Sequence, residues 1–89
     1  MSEQSTMEAL ARLVPHGSRV LDLGCGNGAM LSYLQRERGC TGYGVEIDDA
    51  NVLACVQRGV DVIQLNLDEG LAMFGDNSFD VVLQIDTLQ

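Results

Sequence analysis

Apolar residues recur along the chain in two rhythms, one helical and one typical of buried strands. Met7, Leu10, Ala11 and Val14 fall at helical spacing, with Ser5 or Thr6 as N-cap and Glu8 in the first turn, which predicts a short amphipathic helix over 5–14. Pro15-His16-Gly17-Ser18 stops it, because proline disfavours helix in the residue before it and glycine accepts turn conformations. Val20, Leu21 and Leu23 then form a short apolar run ending in glycines, the pattern of a strand buried on both faces of a parallel sheet. Over 29–38, Met30, Leu31 and Leu34 share one face, polar residues gather at the end, and Gly39 closes the helix. A second strand is predicted over 41–46. Asp48 or Asp49 caps a second helix through Val52, Leu53, Cys55 and Val56, and Gly59 ends it. A third strand follows over 60–65, then a loop or short helix over 67–74, a turn over 75–78 and a β-branched fourth strand over 79–85.

The order βαβαβ(α)β from 19 to 85 predicts an α/β fold: a Rossmann-like three-layer sandwich with a parallel sheet and right-handed crossovers, in one domain over 1–89. Val81-Val82-Leu83 reads as a fully buried strand with few residues after it. An uncovered apolar edge promotes association. The expectation is therefore a partial domain, strands one to four of a larger one, or a homo-oligomer formed through the strand at 79–85.

Composition narrows the functional classes. The chain has 89 residues, 46% hydrophobic and 20% charged, and contains no run near the roughly 18 apolar residues a membrane span requires. The segment Met1-Ser2-Glu3-Gln4-Ser5 lacks the basic start and apolar stretch of a secretory signal, so the expected location is cytoplasmic. Thirteen acidic against five basic residues give a net charge of -8, which repels phosphate backbones and argues against nucleic acid as a partner. Cys25, Cys40 and Cys55 form neither a C-x-x-C pair nor a cluster with histidine, so reduced thiols are expected, not a disulfide framework or a zinc site.

The chemistry concentrates at three strand ends. Asp22-Leu23-Gly24-Cys25-Gly26-Asn27-Gly28 joins the first strand to the first helix, where open α/β sheets bind ligands. Glycines there let a ligand approach the backbone closely. Asp22 is a charge-assisted acceptor, suited to holding the loop amides or to receiving a ligand's ammonium group directly or through water. Glu46, ending the second strand, can accept from both ribose hydroxyls or serve as a helix cap. Ile47 offers an apolar face to an adenine. At the third strand end, Asn66, Leu67 and Asp68 can read the adenine edge or shape a turn. A G-x-G-x-x-A reading with Ala29 also fits a dinucleotide-binding fold. Asp22, the third glycine at Gly28 and the polar residues after the third strand favour S-adenosylmethionine over NAD, and an acidic loop suits a sulfonium better than a diphosphate. His16 lies in a turn remote from the loop. Cys25 has no positioned base to make it a nucleophile.

Asp22-Leu23-Gly24-Cys25-Gly26-Asn27-Gly28, Gly42-Tyr43-Gly44-Val45-Glu46-Ile47-Asp48 and Asn77-Ser78-Phe79-Asp80-Val81-Val82 resemble the successive signatures of class I S-adenosylmethionine-dependent methyltransferases. Within that superfamily, Gly59-Val60-Asp61-Val62-Ile63-Gln64, Asp68-Glu69-Gly70-Leu71 and Thr87-Leu88-Gln89 resemble the methionine biosynthesis family MetW. The resemblance runs from Gly17 to Gln89. It implies S-adenosylmethionine or S-adenosylhomocysteine as cofactor, held at Asp22, Gly24, Gly26 and Glu46, and association with homoserine O-acyltransferase. Asn66 stands where the family more often has Asp. The implied function is a partner or regulator of that acyltransferase. The alternatives are an active small-molecule methyltransferase and, ranked last, an NAD-binding module. No catalytic residue or acceptor site is identifiable in the sequence.

Overall fold

The computed structural model describes residues 2–74 and 78–84. Its elements are α1 (Glu3–Ala11), β1 (Arg19–Leu23), α2 (Ala29–Arg38), β2 (Thr41–Glu46), α3 (Asp49–Arg58), β3 (Val62–Gln64), α4 (Leu67–Phe74) and β4 (Val81–Leu83). The strands form one four-stranded sheet in the order β3-β2-β1-β4, and every pair is parallel. This is the predicted Rossmann-like α/β architecture.

β1 is central, and its alternation divides the core. Val20 packs with Ala11, Val14, Met30, Leu31, Leu34, Cys40, Cys55 and Val60 beneath α1, α2 and α3. Leu21 and Leu23 point to the other face, where Val45 joins them and Tyr43, Leu65, Phe74 and Phe79 close over the top. The helices thus cover both faces of the sheet. Phe74 carries the second cluster, stacked on Tyr43 at 5.9 Å and edge-on to Phe79 at 5.6 Å.

Several boundaries differ from expectation for local reasons. α1 begins earlier because Ser2, not Ser5 or Thr6, is the N-cap, its hydroxyl accepting from the Ser5 N–H at 3.0 Å. The helix ends at Ala11, and the N–H groups of Leu13 and Val14 reach back three residues, to Leu10 and Ala11. That tighter turn still delivers Val14 to the core. The Val14 carbonyl is then clamped by Arg38 from the end of α2, at 3.1 Å from Nε and 2.8 Å from Nη2. β3 starts later than residue 60 because the Val60 N–H donates to the Cys55 carbonyl as part of the left-handed Gly59 cap of α3. The segment over 67–74 is a helix with a reciprocal cap: Asn66 Oδ1 accepts from the Glu69 N–H at 2.8 Å, and Glu69 Oε1 accepts from the Asn66 N–H at 3.0 Å.

β4 is shorter than 79–85 and is not the fully buried strand that its composition implies. Among the described residues it pairs only with β1, at the edge of the sheet, and Val82 is 56% exposed. Phe79 turns into the aromatic cluster instead of joining the ladder. Asp80 ties β4 to the start of β1, its Oδ2 accepting from the Arg19 N–H and its own N–H donating to the Arg19 carbonyl, both at 2.8 Å. Ile85 and residues 75–77 of the expected turn lie outside the described residues.

Candidate functional site

β1 and β2 end side by side, with Leu23 opposite Val45. The chain leaves β1 through three glycines with left-handed backbone, Gly24 at φ 76°, Gly26 at 59° and Gly28 at 83°. β2 anchors this loop. The Val45 carbonyl accepts from the N–H groups of Gly24 and Cys25 at 2.8 and 3.0 Å, and Glu46 Oε1 accepts from the Gly26 N–H at 2.8 Å. Asn27 Oδ1 accepts from the Ala29 N–H at 3.0 Å, closing the first turn of α2. Gly28 is the N-cap of that helix, and a Cβ there would lie 2.9 Å from Cys55 Sγ. Gly44 sits opposite Asp22 in the sheet, and a Cβ there would collide with Cys25 Sγ.

Asp22 lies on the same face of β1 as Val20, between Gly44 and Leu83. It is 3% exposed, and among the described residues its carboxyl makes no hydrogen bond. The Gly24, Cys25 and Gly26 amides of the loop that it was expected to hold are taken by Val45 and Glu46. Burial, and next the charge of Glu46, push its pKa up from 3.8 to about 7. A buried acceptor without a donor is costly to maintain, and a cation brought beside it would lower that cost.

Glu46 holds the loop and caps the next helix with one carboxylate. Its Oε2 accepts from the Asp48 N–H at 3.1 Å and from Asn51 Nδ2 at 3.4 Å, while Asp48 caps α3 by accepting from the Asn51 N–H at 3.0 Å. An ionised carboxylate has about four acceptor positions, so hydroxyl donors can still be received. Ile47 projects beside it, 59% exposed.

The third strand end is built differently. Asn66, Leu67 and Asp68 are exposed at the start of α4, and the Asn66 side-chain oxygen already caps the helix. That oxygen keeps a second lone pair. Glu46 is thus bonded directly to the loop and acts on Asp22 through its charge, whereas the described contacts of Asn66 are those of its own helix cap.

Some contributors had no strong signal in the sequence. Cys55 stands against the loop, its Sγ 3.6 Å from Cys25 Sγ and 3.3 Å from the Gly26 carbonyl. Burial pushes both thiols up, so they stay protonated and neither serves as a nucleophile. Gln64 Nε2 donates to the Ile47 carbonyl at 3.0 Å, joining the ends of β3 and β2. For Gly44 a usable signal exists, since glycine inside a strand marks a close approach. His16 is exposed in the turn before β1, at the other end of that strand from the loop. Among the described residues no group of His, Cys, Asp and Glu is arranged to hold a metal, and no helix is long and apolar enough to cross a membrane.

The family model for methionine biosynthesis protein MetW matches residues 4–89. The chain is 41% identical over 90 residues to the bifunctional methionine biosynthesis protein MetXA/MetW of Rhodopirellula baltica, covering 92% of this chain and 14% of that protein. Among solved structures, it matches an S-adenosylmethionine-dependent methyltransferase from Thiobacillus denitrificans in complex with S-adenosyl-L-homocysteine. That match has a TM-score of 0.77 and 24% identity over 93% of this chain and 36% of the other. A Geobacter sulfurreducens S-adenosylmethionine-dependent methyltransferase, also in complex with S-adenosyl-L-homocysteine, matches at TM-score 0.65 and 26% identity, over 98% of this chain and 37% of the other. The chain thus spans well under half the length of each of these proteins.

Proposed function

We propose, from the premise that this chain belongs to the MetW family of methionine biosynthesis proteins, that its glycine loop binds S-adenosylmethionine or S-adenosylhomocysteine and that the binding serves regulation of a partner enzyme. The observation that carries the binding is the pairing of Asp22 and Glu46. One is a buried carboxyl that makes no hydrogen bond among the described residues. The other holds the loop at Gly26 and retains acceptor capacity. In this reading Asp22 receives the ligand's cationic end, Glu46 accepts from the ribose hydroxyls, and Gly24, Cys25, Gly26, Asn27 and Gly28 form the floor. Ile47, Leu67, Asn66 and Asp68 border the base. The Geobacter relative bound to S-adenosyl-L-homocysteine supports the ligand class.

The partner is proposed to be a homoserine O-acyltransferase. A relative named for MetXA and MetW together in one polypeptide supports it, because fusion raises the effective concentration of two modules that work together. The chain is read as the cofactor-binding part of a larger domain, over 1–89, and its exposed β4 edge as a surface for further strands or a second copy. A biosynthetic role supports a cytoplasmic location. Methyl transfer to a small acceptor is the second reading, favoured by the methyltransferase neighbour. The sulfonium supplies an activated methyl group when bound, and the chain's own part is to align and shelter it. No described residue is placed as a general base for an acceptor.

Calorimetric titration of the full chain with S-adenosylmethionine, S-adenosylhomocysteine and NAD tests the site, and preferential NAD binding overturns it. Co-purification with the acyltransferase, with the nucleoside present and absent, tests the partner. Linkage requires the nucleoside to change partner affinity by the factor with which the partner changes nucleoside affinity. Robust turnover on a small acceptor without a complex would establish the second reading instead.

A further inference from the structure

Gln64 ends β3 beside Glu46, its register neighbour on β2. Its side-chain nitrogen Nε2 reaches two acceptors, the Ile47 carbonyl at 3.0 Å and Asp49 Oδ1 at 2.5 Å. Both partners are oxygens that only accept, so the nitrogen of the amide, not its oxygen, has to face them, one N–H for each. Asp49 is the first residue of α3, where the unpaired N–H groups of a helix favour a carboxylate. One amide therefore ties β3, the end of β2 and the start of α3 together.

What this tie controls is the peptide between Ile47 and Asp48. That peptide lies between β2 and α3, so side chains hold it in place of a ladder or a helical turn. It is trans, and its carbonyl and N–H accordingly point in opposite directions. Gln64 donates to the carbonyl at one end, while at the other the Asp48 N–H donates to Glu46 Oε2 at 3.1 Å. Turning the peptide over would break both bonds at once. Oε2 would then keep the longer contact from Asn51 Nδ2 at 3.4 Å, and Oε1 its bond from the Gly26 N–H at 2.8 Å. The carboxylate would stay near the loop but lose the donor that sets its plane.

We infer that Gln64 is a positioning residue for the ribose end of the site: by fixing the Ile47–Asp48 peptide it fixes the carboxylate of Glu46, and so sets how strongly the protein requires the ribose hydroxyls. The inference rests on the proposal that Glu46 accepts from those hydroxyls. A hydrogen bond weakens steeply as its angle departs from the line of donor and acceptor, so a carboxylate free to turn loses its grip on a pair of hydroxyls before it loses its charge. The same corner carries Ile47, which borders the base in the proposed site. Apolar contact is non-directional and tolerates a small turn of that peptide. Gln64 therefore governs discrimination of the sugar more than of the base, although it touches neither.

The test is calorimetry of the full chain with S-adenosylhomocysteine and with its 2′,3′-dideoxy analogue, in the unaltered protein, Gln64→Glu and Gln64→Ala, each checked for fold by circular dichroism. Gln64→Glu keeps the shape of the side chain and turns a carboxylate toward the Ile47 carbonyl and Asp49. The expected result is a loss of S-adenosylhomocysteine affinity of about threefold to tenfold in Gln64→Glu and a smaller one in Gln64→Ala. Affinity for the dideoxy analogue is expected to change by less than about twofold, so the preference for the intact ribose narrows. A purely structural role would weaken both ligands alike; equal losses, or an unchanged preference, overturn the inference and leave the nucleoside site standing. An unaltered protein that binds the two ligands equally overturns it together with the ribose role of Glu46, and one that binds neither overturns the site as well. Gln64 is exposed, which favours folded variants. If either fails to fold, Asp49→Ala, which frees the amide from α3, decides: it is expected to narrow the same preference by a smaller factor, and an unchanged preference there overturns the inference.

Discussion

The two ends of the candidate site are made by opposite strategies. Around Asp22 and Glu46, β1, β2, the loop and α3 converge, and the bonds that tie the loop to β2 and α3 join residues about 20 or more apart in the chain, Gly26 with Glu46 and Gly26 with Cys55. Around Asn66 and Asp68, the geometry is local: one reciprocal cap between Asn66 and Glu69 sets the start of α4. The first end is buried and electrostatically strained, the second exposed and relaxed. Charge recognition needs a dry, preorganised carboxylate, because water would screen it. Recognition of a flat base edge tolerates wet, adjustable groups.

The largest expected effect breaks the buried end through pH. Asp22 ionises near 3.8 when unfolded and near 7 when folded, so between those values the native state keeps a proton that the unfolded chain has lost. The associated stability is fully present below about 3.8 and disappears as pH rises through about 7. Three pKa units correspond to at most about 4 kcal/mol. Denaturant midpoints from about pH 4 to 8 should fall in the unaltered protein more steeply than in Asp22→Asn; parallel profiles would contradict the burial of an unpaired carboxyl.

Gly44→Val comes next. Its side chain would enter space held by Cys25 Sγ, and overpacking of this kind costs about 1–3 kcal/mol. Urea denaturation should show that loss, with nucleoside affinity falling as the loop is displaced. Glu46→Gln keeps the shape but weakens charge-assisted bonds, so calorimetry should register about 1–2 kcal/mol less binding. A loss of a few tenths would reduce Glu46 to a helix cap.

The smallest effect belongs to the local end. Asn66→Ala removes the cap of α4 and should lower stability by about 1 kcal/mol in thermal or denaturant unfolding, while reducing nucleoside affinity less than Glu46→Gln does. A larger affinity loss than that of Glu46→Gln would reverse the comparison and make the adenine edge the anchor of the site.

Elements whose signals are local were legible in the amino-acid order. α2 and β2 match their predicted spans, over 29–38 and 41–46, because a left-handed glycine and an apolar run mark their limits within a few residues. Ser2 was harder to read, since Ser2, Ser5 and Thr6 are all competent N-caps and the hydrogen bond actually formed chooses among them. β4 read as buried because Val81, Val82 and Leu83 are apolar. Composition carries no information about which strands flank them, and at the sheet edge Val82 is open to solvent.

The same division runs through the site. Sequence alone determined that an acidic residue, a glycine loop and a second acidic residue stand at successive strand ends, because strand, turn and helix periodicities locate those ends. Tertiary structure decided what each group does there. Parallel pairing of β1 with β2 brings the Val45 carbonyl and Glu46 beneath the loop, which removes the loop amides from the reach of Asp22. Packing of α3 sets Cys55 against Gly28 and the Gly26 carbonyl. The state of Asp22 depends on desolvation and on a carboxylate 24 positions away, and both are properties of the assembled core, not of any window of sequence.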